Sequence, residues 1–486
     1  MIPDAGTPLT ASTFARFYLP LVATSYLLTA TNPLLAAALA RTSDPATALA
    51  GYGVAFALIG VIYAPLLVVQ QVAAQRLLSA GDLAPVRRFT AITGLLLSGF
   101  AALVAFTPVG VWIFESVVGV RDAILDEALS AMTALWPVPL LTGVRALHQG
   151  RLVAGHRTHP IAVATGARTG VLAVIAFAMT TSPVGAWLGA VAFTAGLAAE
   201  TLFVTIARAP TPAPHAPALP EATTSTDTTR STVATTPADL TASTDASGSA
   251  PDASDRLLAF STPLMLNVML WWATPLIINS VLARTPEPDC SIAAFTVVEA
   301  VAWFLAAPVG QLQHASLALV DSRARHARVR MYAGGLTLAV TGLLVVLAMP
   351  SIREAVLWTG FRLDPSLLEP AGLAFPVAAL YPVLYGHRQY YQGLFVRGGF
   401  TGLVGRGAVV RVVVILAAAP ILLGPMGANG ARLGVTLAAL GLLAEAIFLE
   451  VMARLHVLKH LDDPGDARRV LVDATGRAPA PAPPAP

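Results

Sequence analysis

Long apolar stretches separated by short polar ones run along most of this chain. A hydrocarbon layer about 30 Å thick is crossed by roughly 20 helical residues rising 1.5 Å each, and twelve stretches are long enough. They occupy 15–40, 48–75, 89–114, 128–154, 160–180 and 184–207, then 257–283, 291–318, 330–350, 367–396, 402–422 and 429–457. The pattern predicts an all-α integral membrane protein with six spans in each half. Between the halves, Ala209 to Asp255 is rich in Thr, Ala, Pro, Ser and Asp and has no apolar periodicity. Its hydrophobic content is too low to offset the entropy of ordering, so it reads as a disordered linker. The expected divisions are a lobe at 1–208, the linker at 209–256, a second lobe at 257–460 and a tail at 461–486 that ends in an Ala/Pro run.

Composition supports the same class. Hydrophobic residues make up 56% and charged residues 12%, against about 25% charged in a soluble domain. The basic groups are arginines apart from Lys459, which with the abundant Ala, Gly and Pro suggests a prokaryotic source and a bacterial cytoplasmic (inner) membrane. Arg76, Arg87 and Arg88 follow the second span, Arg151 and Arg157 the fourth, Arg323, Arg325, Arg328 and Arg330 the eighth, and Arg397 and Arg406 the tenth. The positive-inside rule makes these loops cytoplasmic, and both termini and the linker with them. It also accounts for the net charge of +3 without nucleic acid as a partner. The single Cys290 excludes an internal disulfide and a multi-cysteine metal site, and Met1 to Ser12 has no signal-peptide pattern.

The two halves repeat. Pro139, Gly143, Arg145, Gln149 and Gly150 recur 243 residues later as Pro382, Gly386, Arg388, Gln392 and Gly393. In the same register Phe17, Pro20 and Arg41 fall on Phe260, Pro263 and Arg284, Pro65 and Gln70 on Pro308 and Gln313, and Arg168 on Arg411. Near the end Gly196 and Glu200 match Gly441 and Glu445 at an offset of 245. Six spans per half is an even number, so the copies enter the membrane in the same sense and are related by a pseudo-two-fold axis along its normal. Two parallel six-helix lobes enclose a cavity, and rocking of the lobes gives alternating access.

This layout, with proline-bent first spans and both termini inside, resembles the multidrug/oligosaccharidyl-lipid/polysaccharide exporter superfamily. The major facilitator group ranks second, because Ala74 to Phe89 lacks its Asp-Arg-rich signature. Within the exporter superfamily, four stretches resemble the progressive ankylosis protein family: Ala15 to Leu21, Leu49 to Phe56, Val410 to Val414, and Gly427 to Val435. The Thr/Pro-rich linker and the doubled Arg-x3-Gln-Gly motif depart from that family. The resemblance implies export of an anionic metabolite such as pyrophosphate, a nucleotide phosphate or citrate.

Residue types at depth point to anions independently. Arg145 and Arg168 flank a turn near Gly155, Arg388 and Arg411 one near Gly398, and each lies about ten residues, roughly 12 to 15 Å, inside. Guanidinium forks suit phosphate or carboxylate. Arg168 has a ready counter-ion in Glu200 and Arg411 in Glu445, which leaves Arg145 and Arg388 as surplus cations facing the cavity. Gln70, Gln313, His314, Gln149 and Gln392 are further candidate ligands, each equally suited to interhelical hydrogen bonding. Glu299 has Phe56 as its repeat mate, so it stands out as a coupling site for a proton or sodium; Glu200 and Glu445 are further coupling candidates. Asn32, Asn267 and Asn279 are weaker cavity candidates, and Trp271 and Trp272 read as packing or interface residues. There is no nucleotide-binding loop, metal-ligand motif or nucleophile elbow, so neither a cofactor nor catalysis is expected. The leading reading is a secondary transporter with a small anionic substrate. Alternatives are a lipid-linked saccharide flippase, a multidrug exporter and, from another class, an integral-membrane polyprenyl-phosphate transferase.

Overall fold

The computed structural model describes residues 9–80, 83–155, 157, 159–179, 185–207, 253–398 and 400–460. The expected linker and tail lie outside these residues, except that the seventh span already begins at Ala253. Among the described residues the secondary structure is helical, without strands. The spans are α1 (Ala11–Leu39), α2 (Pro45–Ala74), α3 (Ala84–Phe106), α4 (Asp122–Leu135 with Val138–Ala154), α5 (His159–Ala178) and α6 (Gly185–Ile206). The second lobe has α7 (Ala253–Leu282), α8 (Pro288–Leu319), α9 (Arg323–Leu347), α10 (Pro365–Ala378 with Tyr381–Arg397), α11 (Thr401–Met426) and α12 (Gly430–His456).

Two departures from the expected spans have local causes. The fourth and tenth stretches are not continuous helices; they break by 41° and 42° at equivalent places. Pro139 and Pro382 sit at the second position of the helical segment after each break, where a missing N–H is tolerated. The third and ninth stretches end early. At Thr107 and Met349 the backbone becomes extended, and Pro108 and Pro350 each start a short helix. Each short helix ends in a π-turn, Ile113–Val118 and Val356–Phe361. The residues that stop them, Gly119 and Arg362, are repeat mates with φ of 93° and 53°.

These two caps hold the lobes together at the end opposite the arginine-rich loops. Arg41, between α1 and α2, donates to Phe361 O at 3.2 Å and Gly360 O at 2.8 Å. Arg284, between α7 and α8, donates to Val118 O at 3.3 Å. Arg41 matches Arg284 and Val118 matches Phe361 in the repeat, so the two clasps are symmetric. Each guanidinium satisfies carbonyls at a helix end that has no further turn to pair with.

Along the interface α2 packs against α7 and α8, and the start of α1 lies under the second lobe. Tyr18 donates to Pro308 O at 2.5 Å, and Arg328 donates to Leu9 O at 3.2 Å. Gly53 of α2 meets its own repeat mate, Thr296 of α8, with no room for a Cβ between them. Asn279 donates to Gly53 O at 3.3 Å beside that contact. Residues that touch their own equivalents lie at the pseudo-two-fold axis.

Replacing Arg41 and Arg284 together by alanine is expected to open the clasped end. Labelling of the partly buried Cys290 thiol by a membrane-impermeant maleimide should accelerate roughly tenfold, the population shift matching loss of about 1.5 kcal/mol of charged hydrogen bonding. An unchanged labelling rate would show that the clasps do not hold this end shut.

Candidate functional site

Each lobe carries a buried cluster built on one carboxylate. In the first lobe Glu200 of α6 is 0% exposed. Its Oε2 accepts from Arg145 Nη1 of α4 at 3.1 Å and from Arg168 Nη1 of α5 at 3.3 Å. Its Oε1 accepts from Gln149 Nε2 at 3.0 Å and Thr165 Oγ1 at 3.3 Å. In the second lobe Glu445 of α12, also 0% exposed, accepts from Arg411 Nη1 of α11 at 2.5 Å. Arg388 Nε of α10 lies 2.7 Å from Glu445 Oε1, an ion pair whose N–H points off the oxygen. Arg388 Nη1 donates instead to Gln389 Oε1 at 2.7 Å and Gln392 Oε1 at 3.3 Å.

The expected division of labour is therefore corrected. Arg145 and Arg388 are not surplus cations facing the cavity; each shares the glutamate with its neighbour on the next helix. The reason is geometric. Arg145 and Gln149 are four residues apart on one helical face, which the break in α4 turns towards α6. Glycines at Gly196 and Gly441 then let α6 and α12 approach α5 and α11 closely enough to deliver the carboxylates: a Cβ at either would collide with the arginine-bearing neighbour. Two guanidiniums against one carboxylate leave a formal excess of one positive charge per lobe. Each cluster also keeps donors without a hydrogen-bond partner, among them Arg145 Nε, Arg168 Nε, Arg411 Nη2 and Gln392 Nε2.

A cavity of about 510 Å³ lies between the lobes, bordered by α1, α2, α7, α8, α10, α11 and α12. Of the four arginines only Arg411 lines it, though the residue is 1% exposed. Gln313 and His314 line it towards the arginine-rich end, and Glu299, Asn32 and Asn279 line it deeper. Gln149 and Gln392 stay inside their clusters, and Gln70 lies at the contact of α2 with α4, its carbonyl against Gly150.

Part of the wall is an aromatic cluster that the sequence alone did not reveal, with Trp271, Trp272, Trp303 and Tyr385 beside polar groups such as Thr274, Gln311 and Gln389. Trp271 lies over both Arg388 and Arg411, its ring centroid 4.7 and 4.9 Å from their guanidinium carbons. It packs on Trp303 and Tyr385. Trp272 crosses to the first lobe, where it sits on Gly60 in a slot that a Cβ would fill, against Phe56 and Tyr63. Trp271 and Trp272 are thus cavity residues and not lipid-facing belts. Glu299 accepts from Trp303 Nε1 and Tyr381 Oη, each at 2.5 Å. Among the described residues no cation forms an ion pair with it. The signal that would have found this cluster is the one that singled out Glu299: Trp271, Trp303 and Tyr385 of the wall, and Tyr381 packed behind Trp303, replace Leu28, Gly60, Thr142 and Val138 of the first copy.

Comparison with known proteins adds the fold. No family model matches the chain, and no curated protein matches its sequence. Solved structures do match. One described as the inward-facing conformation of a multidrug resistance MATE family transporter of the MOP superfamily aligns over 94% of this chain and 97% of its own, at 14% identity and a TM-score of 0.58. The chain has the fold of the MATE transporters. The MATE multidrug transporter DinF-BH, solved in complex with R6G, aligns over 94% and 99% at 14% identity and a TM-score of 0.58. A MOP superfamily transporter from Pyrococcus furiosus, described as having a binding pocket of reversed polarity that suggests a different function, aligns over 92% and 96% at 14% identity and a TM-score of 0.56.

Replacing Glu200 by glutamine leaves two guanidiniums buried without a counter-charge. Such a loss costs about 3–5 kcal/mol, so thermal unfolding in detergent should shift down by several degrees. Adding Arg145→Met to Glu200→Gln should recover part of that shift; an additive further loss would show that the ion cluster does not govern stability.

Proposed function

We propose that this protein is a secondary transporter that exports an organic anion with an apolar or aromatic body by alternating access of its two lobes. The observation that carries the reading is the pairing of an aromatic cluster in the interlobe cavity with Arg411 at its edge, a guanidinium with one buried donor unused. Such a donor costs free energy unless something accepts from it, and an anionic group docked there would do so while its body stacks on Trp271 and Tyr385. The cluster's excess positive charge favours the same ligand. Polar partners are available along the wall in Thr274, Gln311, Gln313, His314 and Gln389, but among the described residues Arg411 is the one arginine lining it, so an anion whose body also stacks on the aromatic cluster gains more than the compact polyanions that the family resemblance implied.

Closure by the two clasps at one end and polar lining from Gln313 and His314 at the other support an inward-facing state, with the arginine-rich end in the cytoplasm. Glu299 is the proposed coupling residue: it is bound by neutral donors, so taking up a proton or a sodium ion would change its net charge within the cavity wall. Glu200 and Glu445 serve in this reading as structural counter-ions. The repeat and the absence of extramembrane acidic motifs favour transport over a polyprenyl-phosphate transferase. A lipid-linked saccharide flippase would also use Arg411, but through a diphosphate, for which the described lining offers neutral donors and no second arginine or lysine.

A second reading has its own observation. Glu299 without an ion pair, set among Trp303, Trp271 and Tyr385, suits a lipophilic cation through charge and cation–π attraction. That reading aligns with the MATE neighbours described as multidrug transporters.

Uptake into inverted vesicles separates the two. With an aromatic sulfonate or carboxylate as probe, Arg411→Gln should lower transport at least about tenfold, the effect of losing one charged hydrogen bond of roughly 1.5–3 kcal/mol, and Glu299→Gln should abolish its dependence on the ion gradient. Transport of tetraphenylphosphonium alone, lost in Glu299→Gln and retained in Arg411→Gln, would replace the anion reading with the cation reading.

A further inference from the structure

A second cleft, of about 290 Å³, opens at the arginine-rich end of the second lobe, between the start of α9 and the end of α12. It is lined by Arg323, His326, Arg454, Lys459 and Leu458. Four of five lining side chains are basic, and among them is the chain's only lysine. The cleft is a built feature. Arg323 Nη2 donates to Leu458 O at 3.2 Å, which ties α9 to the end of α12. Tyr390 of α10 hydrogen-bonds His326 Nδ1 at 2.9 Å from behind, which fixes the imidazole. Arg454 also reaches Glu450 one turn back, where His387 pairs at 2.8 Å, so part of its charge is balanced there.

The repeat shows that the cleft is an addition to the transport frame. In the register that matches Arg145 to Arg388 and Glu200 to Glu445, the first lobe has Ala80, Leu83, Ala209 and Pro214 where the second has Arg323, His326, Arg454 and Lys459. Arg323 and His326 have no basic counterpart in the first copy, and in the strict register neither do Arg454 and Lys459, whose nearest basic residues there are Arg208 and His215, each one residue away. Bases that served only to set orientation would have no need of one lobe or of a shared cleft.

The surroundings say what it takes. Below the cleft, Leu443, Ile447, Val451 and Leu455 of α12 form an exposed stripe at four-residue spacing, one face of the helix within a membrane span. An anionic head held by the cleft would lie directly above hydrocarbon that this stripe accommodates. We propose that the cleft is a binding site for a phosphate-bearing headgroup, supplied by an anionic glycerophospholipid of the adjoining leaflet. Arg323 and Lys459 hold the phosphate, and one acyl chain lies along the α12 stripe. Basic pockets at helix ends on the cytoplasmic side are suited to such heads.

The test uses the full-length protein, delipidated in neutral detergent and given equal amounts of phosphatidylglycerol and phosphatidylcholine with matched acyl chains. Native mass spectrometry then reads the bound lipid. Wild type should retain phosphatidylglycerol over phosphatidylcholine by about fivefold for each engaged base. Lys459→Gln, at an exposed position, should lower that preference about fivefold, and Arg323→Ala with Lys459→Gln should bring it close to unity. Arg87→Ala with Arg88→Ala, an exposed basic pair of the first lobe, should leave it unchanged, which separates the cleft from general surface charge. A parallel arm measures thermal stabilisation of the delipidated protein by inorganic phosphate. Phosphate stabilisation that depends on Arg323 and Lys459, without lipid preference, would support the phosphate chemistry and assign it to a soluble ligand. Equal retention of both lipids with no phosphate effect, or a preference unchanged by Lys459→Gln and the double variant while both remain monodisperse, would overturn the proposal.

Discussion

One buried carboxylate per lobe, held between two guanidiniums, is the constraint to which the rest of the structure answers. A lone charge in the hydrocarbon interior costs several kcal/mol, so Arg145, Arg168 and Glu200 are tolerable only together. They come from three consecutive helices, and their meeting fixes the rotation of each. The bend in α4, the glycine at the α5–α6 contact and the glutamine one turn beyond the first arginine all serve that meeting. The second lobe meets the same constraint with the same residue types, which explains why these positions persist in the repeat while much of the intervening sequence has diverged.

On this common frame the two lobes do different things. The first cluster is capped by Gln149 and Thr165, both donating to Glu200. In the second, alanine stands at the position of that threonine, Ala408, and Gln392 turns to Arg388. Glu445 is correspondingly less saturated, and tryptophan covers the guanidiniums where the first copy has Leu28. The cavity wall is therefore drawn chiefly from the second lobe, with the first contributing α1 and the outer part of α2. The structure combines a symmetric scaffold with an asymmetric cavity surface.

Much of this architecture was legible because length and hydropathy in a membrane leave few alternatives: twelve stretches long enough to span became ten spans and two bent pairs. The offset of 243 exposed the parallel repeat, and Glu299 stood out as a break in it. Pro139 and Pro382 are helix-distorting residues and mark the two bends, but apolar periodicity runs through them and through the π-turned caps unchanged, so it predicts neither interruption; at the caps only Pro108 and Pro350 mark where the chain turns. The pairing of Arg145 with Glu200 was missed for a different reason. Counting residues from a loop gives depth but not azimuth, and Glu200 accepts from both arginines because α6 faces α4 and α5 at once. The aromatic wall was readable in principle, since each member breaks the repeat as Glu299 does, but a hydrophobic residue in an apolar span attracts no notice until its mate is found to be glycine or threonine.

The meeting of Gly53 with Thr296 sets a scale for any movement. A turn of the lobes about this contact would displace the residues beside it least and the loops at either end most, since displacement grows with distance from a pivot. A glycine at the contact sets the separation of the lobes at its smallest value, that of a backbone against a threonine hydroxyl. A cavity this close to the contact lies on a short lever, so a given turn of one lobe against the other moves its walls little and the distant loops much.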